Sequence, residues 1–273
     1  AAIAGLSVAT VIVNWIVTLT VLPKRLPRLD LTQGIPQELA TMVVVPTLLT
    51  SEQGVDELLE SLEVNFLGNR DQQIYFALLT DFADADSETQ PNDEILLTRA
   101  REGIEKLNAY YGIKNSSLKE NSSLKENSSL KENSSLKESS AARHEFDELE
   151  DEFESTGASC TQDRFFLFHR PRLWNPVAKC WMGFERKRGK LADLNRLLCK
   201  WNGAGMPAPF SLIVGNICAL PRLRYVITLD SDTQLPRDAA RQFIGTMAHP
   251  LNRPVFDAEK CRVTRGYGIL QPR

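Results

Sequence analysis

Three short apolar runs constrain this chain more than anything else in it. Met42-Val43-Val44-Val45 ends at Pro46, and Ile74-Tyr75-Phe76-Ala77-Leu78-Leu79 ends in Thr80-Asp81. Tyr225-Val226-Ile227-Thr228-Leu229 runs straight into Asp230-Ser231-Asp232. Runs that are apolar on both faces, instead of alternating, are the pattern of strands buried on both sides. Between the first two, Leu58, Leu59, Leu62 and Val64 fall at roughly helical spacing. Strand, helix, strand is a β-α-β unit with parallel strands. Further helices are expected over Asn92 to Tyr110, over Leu191 to Trp201, and after Pro236 with Asp238 in the first turn. Further strands are expected over Arg164 to His169 and at the end of Val263 to Leu270. The alternation predicts an α/β fold, an open parallel or mixed sheet with helices on both faces.

The rest of the chain is uneven. Residues 1–22 carry no charge. As one helix they would span roughly 33 Å, enough for a hydrocarbon core of about 30 Å. Lys24, Arg25 and Arg28 follow, a basic flank that predicts a cytoplasmic side for what comes after. A buried core helix and a signal peptide are the competing readings, but a signal carries its basic residues before a shorter apolar core. A transmembrane helix is the reading adopted. Residues 23–40, with Pro23, Pro27 and Pro36, read as a linker. Residues 115–138 are four tandem copies of Asn-Ser-Ser-Leu-Lys-Glu. A six-residue period matches no helical repeat, so its leucines form no stripe. With the acidic run from Glu145 to Glu154, the span 115–155 reads as a disordered insertion within a domain covering 41–273. The chain begins without Met and stops just after an apolar run, which reads as a piece of something larger.

Composition excludes several classes. Apolar residues make up 42% and charged residues 25% of the 273, with a net charge of −3. That rules out a wholly disordered chain or a polytopic membrane bundle, and near-neutrality argues against nucleic acid as a partner. Five widely spaced cysteines, an odd number without C-x-x-C, read as reduced thiols in a cytosolic compartment.

Ligands in open α/β sheets bind outside the carboxyl ends of the strands. Pro46-Thr47, Asp81 and Asp230-x-Asp232 all sit at such ends. Two carboxylates two residues apart repel each other unless a cation neutralises them. Mg²⁺ or Mn²⁺ suits them, completed by substrate phosphates. A turn or helix cap is the plainer reading of the same residues. Arg186-Lys187-Arg188-Gly189-Lys190 leads into a helix and offers cations and backbone N–H groups to a phosphate. By itself it could equally be a solvated surface or a lipid or RNA patch. Together the two segments point to one nucleotide-diphosphate site. No P-loop, G-x-G-x-x-G, G-x-S-x-G or H-E-x-x-H occurs. His169 and His249 read as structural, and Trp174 and Trp181 as core before sugar platform.

Longer stretches carry a resemblance. They are Thr41 to Thr50 (TMVVVPTLLT), Phe76 to Asp81 (FALLTD), Gly183 to Lys190 (GFERKRGK) with Leu194-Asn195, and Arg224 to Asp238 (RYVITLDSDTQLPRD). Met247 to Pro254 (MAHPLNRP) and Gly266 to Arg273 (GYGILQPR) complete the set. The chain resembles the glucosyltransferase region of bacterial cyclic β-1,2-glucan synthases, and more broadly the processive inverting glycosyltransferases of the GT-A fold. The resemblance implies transfer of glucose from UDP-glucose into a growing β-1,2-glucan, with Mg²⁺ or Mn²⁺, at the cytoplasmic side of a bacterial inner membrane. It puts Thr47 beside the uracil, Asp81 at the base or ribose, Lys190 at the diphosphate, Asp230 at ribose and metal, and Asp232 on the metal. Gln271-Pro272 is similar, more loosely, to a strand end that lines the acceptor path. The general base of this fold comes after the point where the chain stops, so none is assigned and the piece alone is expected not to turn over. A membrane-anchored scaffold and a nucleotidyltransferase are the rival classes; metal-dependent UDP-glucose binding separates them.

Overall fold

Thr41–Leu49 (β1) and Ile74–Phe82 (β2) pair in parallel in register, Thr41 with Ile74 through Leu49 with Phe82. The computed structural model describes residues 2–20, 26–126, 163–200, 209–217, 220 and 222–271. They fall into two compact units, Gly34–Ala240 and a second made of Ala1–Gln33 with Arg241–Arg273.

The larger unit is the expected α/β sheet. Phe165–His169 (β3) pairs in parallel with β2, and Tyr225–Thr228 (β7) in parallel with the other side of β1. Leu212–Val214 (β6) closes the β3 edge in antiparallel sense, giving the order β6-β3-β2-β1-β7. Parallel neighbours need crossovers, and Glu52–Gly68 (α2) and Asp93–Glu126 (α3) supply them. Ser51 caps α2 by accepting from the Gly54 N–H at 3.1 Å. Because strand side chains alternate in direction, one face buries Met42, Val44, Tyr75, Ala77, Leu79, Phe166 and Phe168. These pack on Leu194 and Leu197 of Arg186–Lys200 (α4). On the other face Phe66 of α2 meets Phe76 and Phe165 edge-on at 5.7 and 5.0 Å, with Tyr111 of α3 at 4.7 Å. A two-stranded hairpin, Leu173–Asn175 (β4) and Cys180–Met182 (β5), stands apart from the sheet. Cys180, Cys199 and Cys261 are free thiols.

The smaller unit contains Ala2–Thr20 (α1), most of Ala239–Ala248 (α5), and a ribbon of Val255–Asp257 (β8) with Arg262–Arg265 (β9). Leu29 N–H donates to the Gly245 carbonyl at 3.0 Å, so a side chain on Gly245 would lie 2.7 Å from the Leu29 oxygen. Described α1 side chains, residues 9–19, are exposed. Among the described residues no helix is long and apolar enough to cross a membrane. Within the span expected over 1–22 the observed helix is Ala2–Thr20, about 28 Å at ~1.5 Å per residue, against ~30 Å of hydrocarbon.

Several expectations need correction. α4 begins at Arg186, not Leu191: arginine and lysine are good helix formers, so the basic loop is itself the first helical turn. α5 begins at Ala239, leaving Pro236 and Asp238 outside it. Asp238 has φ 59°, a left-handed backbone that delays the start of the helix. The last strand is Arg262–Arg265, and residues 267–270 are not extended in a sheet. Gly266, at φ 73°, turns the chain there, and Tyr267 N–H donates to the Asn252 carbonyl at 2.9 Å. α3 continues to Glu126 and takes in the first two repeat copies, where disorder was expected from 115. A helix already nucleated extends readily through Leu, Lys and Glu. The rest of that insertion, 127–155, lies outside the described residues, as do Pro272 and Arg273.

Candidate functional site

β1 is where the strand order reverses. Its successor β2 lies on one side and β7 on the other. Crevices in open α/β sheets form at such a point, outside the carboxyl ends. Thr47 is near the end of β1, while Asp230, Ser231 and Asp232 follow β7 directly. The Leu229 N–H still pairs with the Val44 carbonyl at 3.0 Å, so the two aspartates begin where sheet pairing stops.

The floor beside this crevice is a buried charge cluster. Asp81, 1% exposed, accepts from Arg170 through both oxygens, Nε at 2.9 Å and a terminal nitrogen at 3.0 Å. Lys190 Nζ lies 3.0 Å from the second of those oxygens and donates to the Thr47 carbonyl at 2.6 Å. Arg170 also reaches Asp193 at 2.7 Å. Buried charges persist when paired and fully hydrogen-bonded, and here two cations face two carboxylates. Burial pushes the Lys190 ammonium below the usual lysine value, against the pull of Asp81. Gly183 is required beside this cluster: a Cβ there would sit 2.4 Å from Asp81 Oδ2. Thr47, Asp81 and Lys190 are therefore brought together. Lys190, expected at the diphosphate, is 3% exposed and turned inward onto the other two.

The rim is exposed. Lys187, from the first turn of α4, forms an ion pair with Asp230. Asp232 accepts a long 3.5 Å bond from the Thr233 hydroxyl and touches none of the other expected site residues. Among the described residues no three His, Cys, Asp or Glu side chains gather as a metal site. Two carboxylates of hard oxygen still fit Mg²⁺ or Mn²⁺, which keep waters and take substrate phosphates as further ligands.

Other residues shape the site without having been singled out in the sequence. Asn65, in the last turn of α2, and Asn69, which caps its C-terminal end, hold the segment after Asp232. Asn65 Oδ1 accepts from Leu235 N–H at 2.7 Å. Asn69 donates to the Pro236 carbonyl at 3.2 Å and accepts from Ala240 N–H at 3.0 Å. Arg172 pairs with Asp93 and donates to the Ala83 carbonyl at 2.6 Å, tying down the loop after β2. The available signal was Arg170-Pro171-Arg172 directly after an apolar strand, where charge has no reason to be buried unless it is structural. His169, beside them, is uncharged: burial pushes its imidazole down to about 4. Its Nδ1 pairs with the Thr80 hydroxyl at 2.9 Å. Gln271 is exposed.

A parallel-rich α/β sheet with carboxylates and a basic helix start at its switch point is compatible with the GT-A fold. Over 260 residues, 95% of its length, the chain is 36% identical to the cyclic beta-(1,2)-glucan synthase NdvB of Rhizobium meliloti (strain 1021). It spans 7% of that protein's length, so the similarity is to one region of the synthase. No protein-family profile matches the chain.

Proposed function

We propose that this chain is the donor-binding part of a membrane-bound inverting glucosyltransferase that uses UDP-glucose to extend a β-1,2-glucan destined for cyclisation. The observation that carries this reading is the 36% identity over 95% of the chain to a cyclic beta-(1,2)-glucan synthase. The site chemistry supports it. Uridine would lie over Thr47 and Asp81, with Lys190 bracing both from beneath. Asp230 and Asp232 would hold Mg²⁺ or Mn²⁺ against the diphosphate, Asp230 also facing the ribose. The start of α4 favours an anion: its first turn holds basic residues and no acid, at the end of a helix where the dipole is already positive.

In the reaction an acceptor hydroxyl of the glucan attacks the anomeric carbon as the bond to UDP breaks, with inversion; the hydroxyl proton goes to a base. A divalent metal held by Asp230 and Asp232 would supply charge neutralisation at the departing diphosphate. The chain's own part is to hold the donor so that this bond lies at the open edge of the crevice. Membrane attachment on the cytoplasmic side of a bacterial inner membrane belongs to the same proposal, with the apolar α1 followed by Lys24, Arg25 and Arg28 in its favour.

Isothermal titration of the chain with UDP-glucose, with and without Mn²⁺, tests the reading. Binding is expected to need the metal and to fall at least tenfold in Asp232→Ala, about 1.4 kcal/mol. Unchanged affinity and metal dependence in Asp232→Ala, or preference for a nucleoside triphosphate, would overturn it.

A further inference from the structure

Resting on that reading of the donor site, we propose that Lys187 is a placeholder for the divalent cation. Its ammonium pairs with Asp230 before the metal binds, is displaced when the metal arrives, and then engages the donor's diphosphate.

The basic groups of the first α4 turn differ in what holds them. Arg186 pairs with Asp84 at 2.5 Å and Arg188 with Glu185 beside it. Lys190 is buried against Thr47 and Asp81. Lys187 is the one whose partner is an expected metal ligand. The pair is open to water, its side chains 50% and 64% exposed. An exposed ion pair is worth about 0–1 kcal/mol, weak enough to yield to a divalent ion with two carboxylates and phosphate oxygens to bind.

The backbone that presents Lys187 is built for the purpose. Glu185 and Arg186 both adopt left-handed backbone, φ 53° and 48°, a conformation that costs non-glycine residues free energy and clusters at functional sites. Buried Arg170 holds the distortion in place by donating to the carbonyls of Phe184 and Arg186 at 3.2 and 3.3 Å. Gly189 lets the turn close, since a Cβ there would lie 2.1 Å from the Phe184 oxygen. The result fixes Lys187 at a helix N-terminus within reach of Asp230. An ammonium released there remains at the N-terminal end of the helix, where a diphosphate is favoured.

The exchange couples the two ligands. Without donor, ammonium and metal compete for Asp230; with donor, each has its own anion. Titration of the full chain with Mn²⁺, followed by electron paramagnetic resonance of the free ion, reads the first half, and titration with UDP at saturating Mn²⁺ reads the second. Lys187→Gln is expected to tighten Mn²⁺ binding without nucleotide by several-fold and to weaken UDP binding with Mn²⁺ by roughly tenfold. Lys187→Arg, which keeps the charge, should behave nearly as the parent. The exposed position predicts an unchanged thermal midpoint for both. If Asp230→Asn lowers Mn²⁺ affinity while Lys187→Gln changes neither measurement, the exchange is wrong and the donor-site reading stands. If Asp230→Asn binds Mn²⁺ as the parent does, the donor-site reading falls and the exchange with it.

Discussion

At the scale of single residues, the site is organised by charges that are hidden from solvent. Arg170 meets both oxygens of Asp81 and reaches Asp193, and the same guanidinium holds the carbonyls that launch α4. A lysine there could not reproduce a planar two-oxygen contact. His169 stands beside this cluster, 0% exposed, with Nε2 lacking a hydrogen-bond partner among the described residues. Its pH behaviour follows. Burial holds the folded imidazole at about 4 against 6.5 when free. As pH falls from above 6.5 towards 4, the unfolded chain gains a proton that the folded chain refuses, so stability drops through that window by up to roughly 3 kcal/mol. Above 6.5 the contribution is fully present. His169→Gln should remove this component, whatever its constant offset, so its denaturation midpoint in urea should fall less between pH 7 and 4.5 than the parent's. Parallel pH profiles for the two would refute the assignment. Sequence reasoning singled out Thr47, Asp81, Lys190, Asp230 and Asp232 as candidates because each follows an apolar run or sits in a basic one. It missed Arg170, Arg172 and Asp193 because the Arg170-Pro171-Arg172 run after a strand says nothing of partners that lie far away in sequence.

Elements were legible where hydrophobic pattern and length agreed. β1, β2, β3 and β7, and helices α2 and α3, announce themselves by buried runs and helical spacing. Pro46 does not end β1, which continues to Leu49. In the parallel ladder the proline merely forgoes one donor. The short pieces were opaque: β4, β5, β6 and β8 are three residues each, too brief for any periodicity to register. α2 shows how an element reaches beyond its own packing. Asn65 in its final turn and the capping Asn69 just beyond take up the backbone of residues 235–240 through four hydrogen bonds to Leu235, Pro236 and Ala240. Asn69→Ala strips three of them and strands the buried Ala240 N–H, for a loss of about 1–3 kcal/mol. The segment after Asp232 would lose its anchor as well. A thermal melt should show the lower midpoint, and UDP titration a weaker Mn²⁺-dependent affinity, while a melt unchanged from the parent would mean the asparagines are incidental.

For the molecule as a whole, what needs explaining is α1. A helix in water normally hides an apolar stripe against the rest of the fold. Here Val11, Ile12, Val13, Trp15, Ile16, Val17 and Leu19 are all 47–67% exposed, all round the helix and not along one side. Exposed apolar surface on that scale marks a membrane or partner contact. Under the proposed membrane attachment lipid is the occupant, in line with residues 1–22 that carry no charge and a basic flank that follows. A lysine near the middle of a helix in hydrocarbon costs about 2.5–3.5 kcal/mol. Ile12→Lys with Ile16→Lys, one turn apart, should therefore move the full chain from the floating to the soluble fraction when it is centrifuged with phospholipid vesicles through a density gradient. Binding of UDP with Mn²⁺ should be unaffected, because the donor residues belong to Gly34–Ala240. Flotation that survives both lysines would assign the exposed helix to a protein partner, in keeping with a chain that spans 7% of its relative.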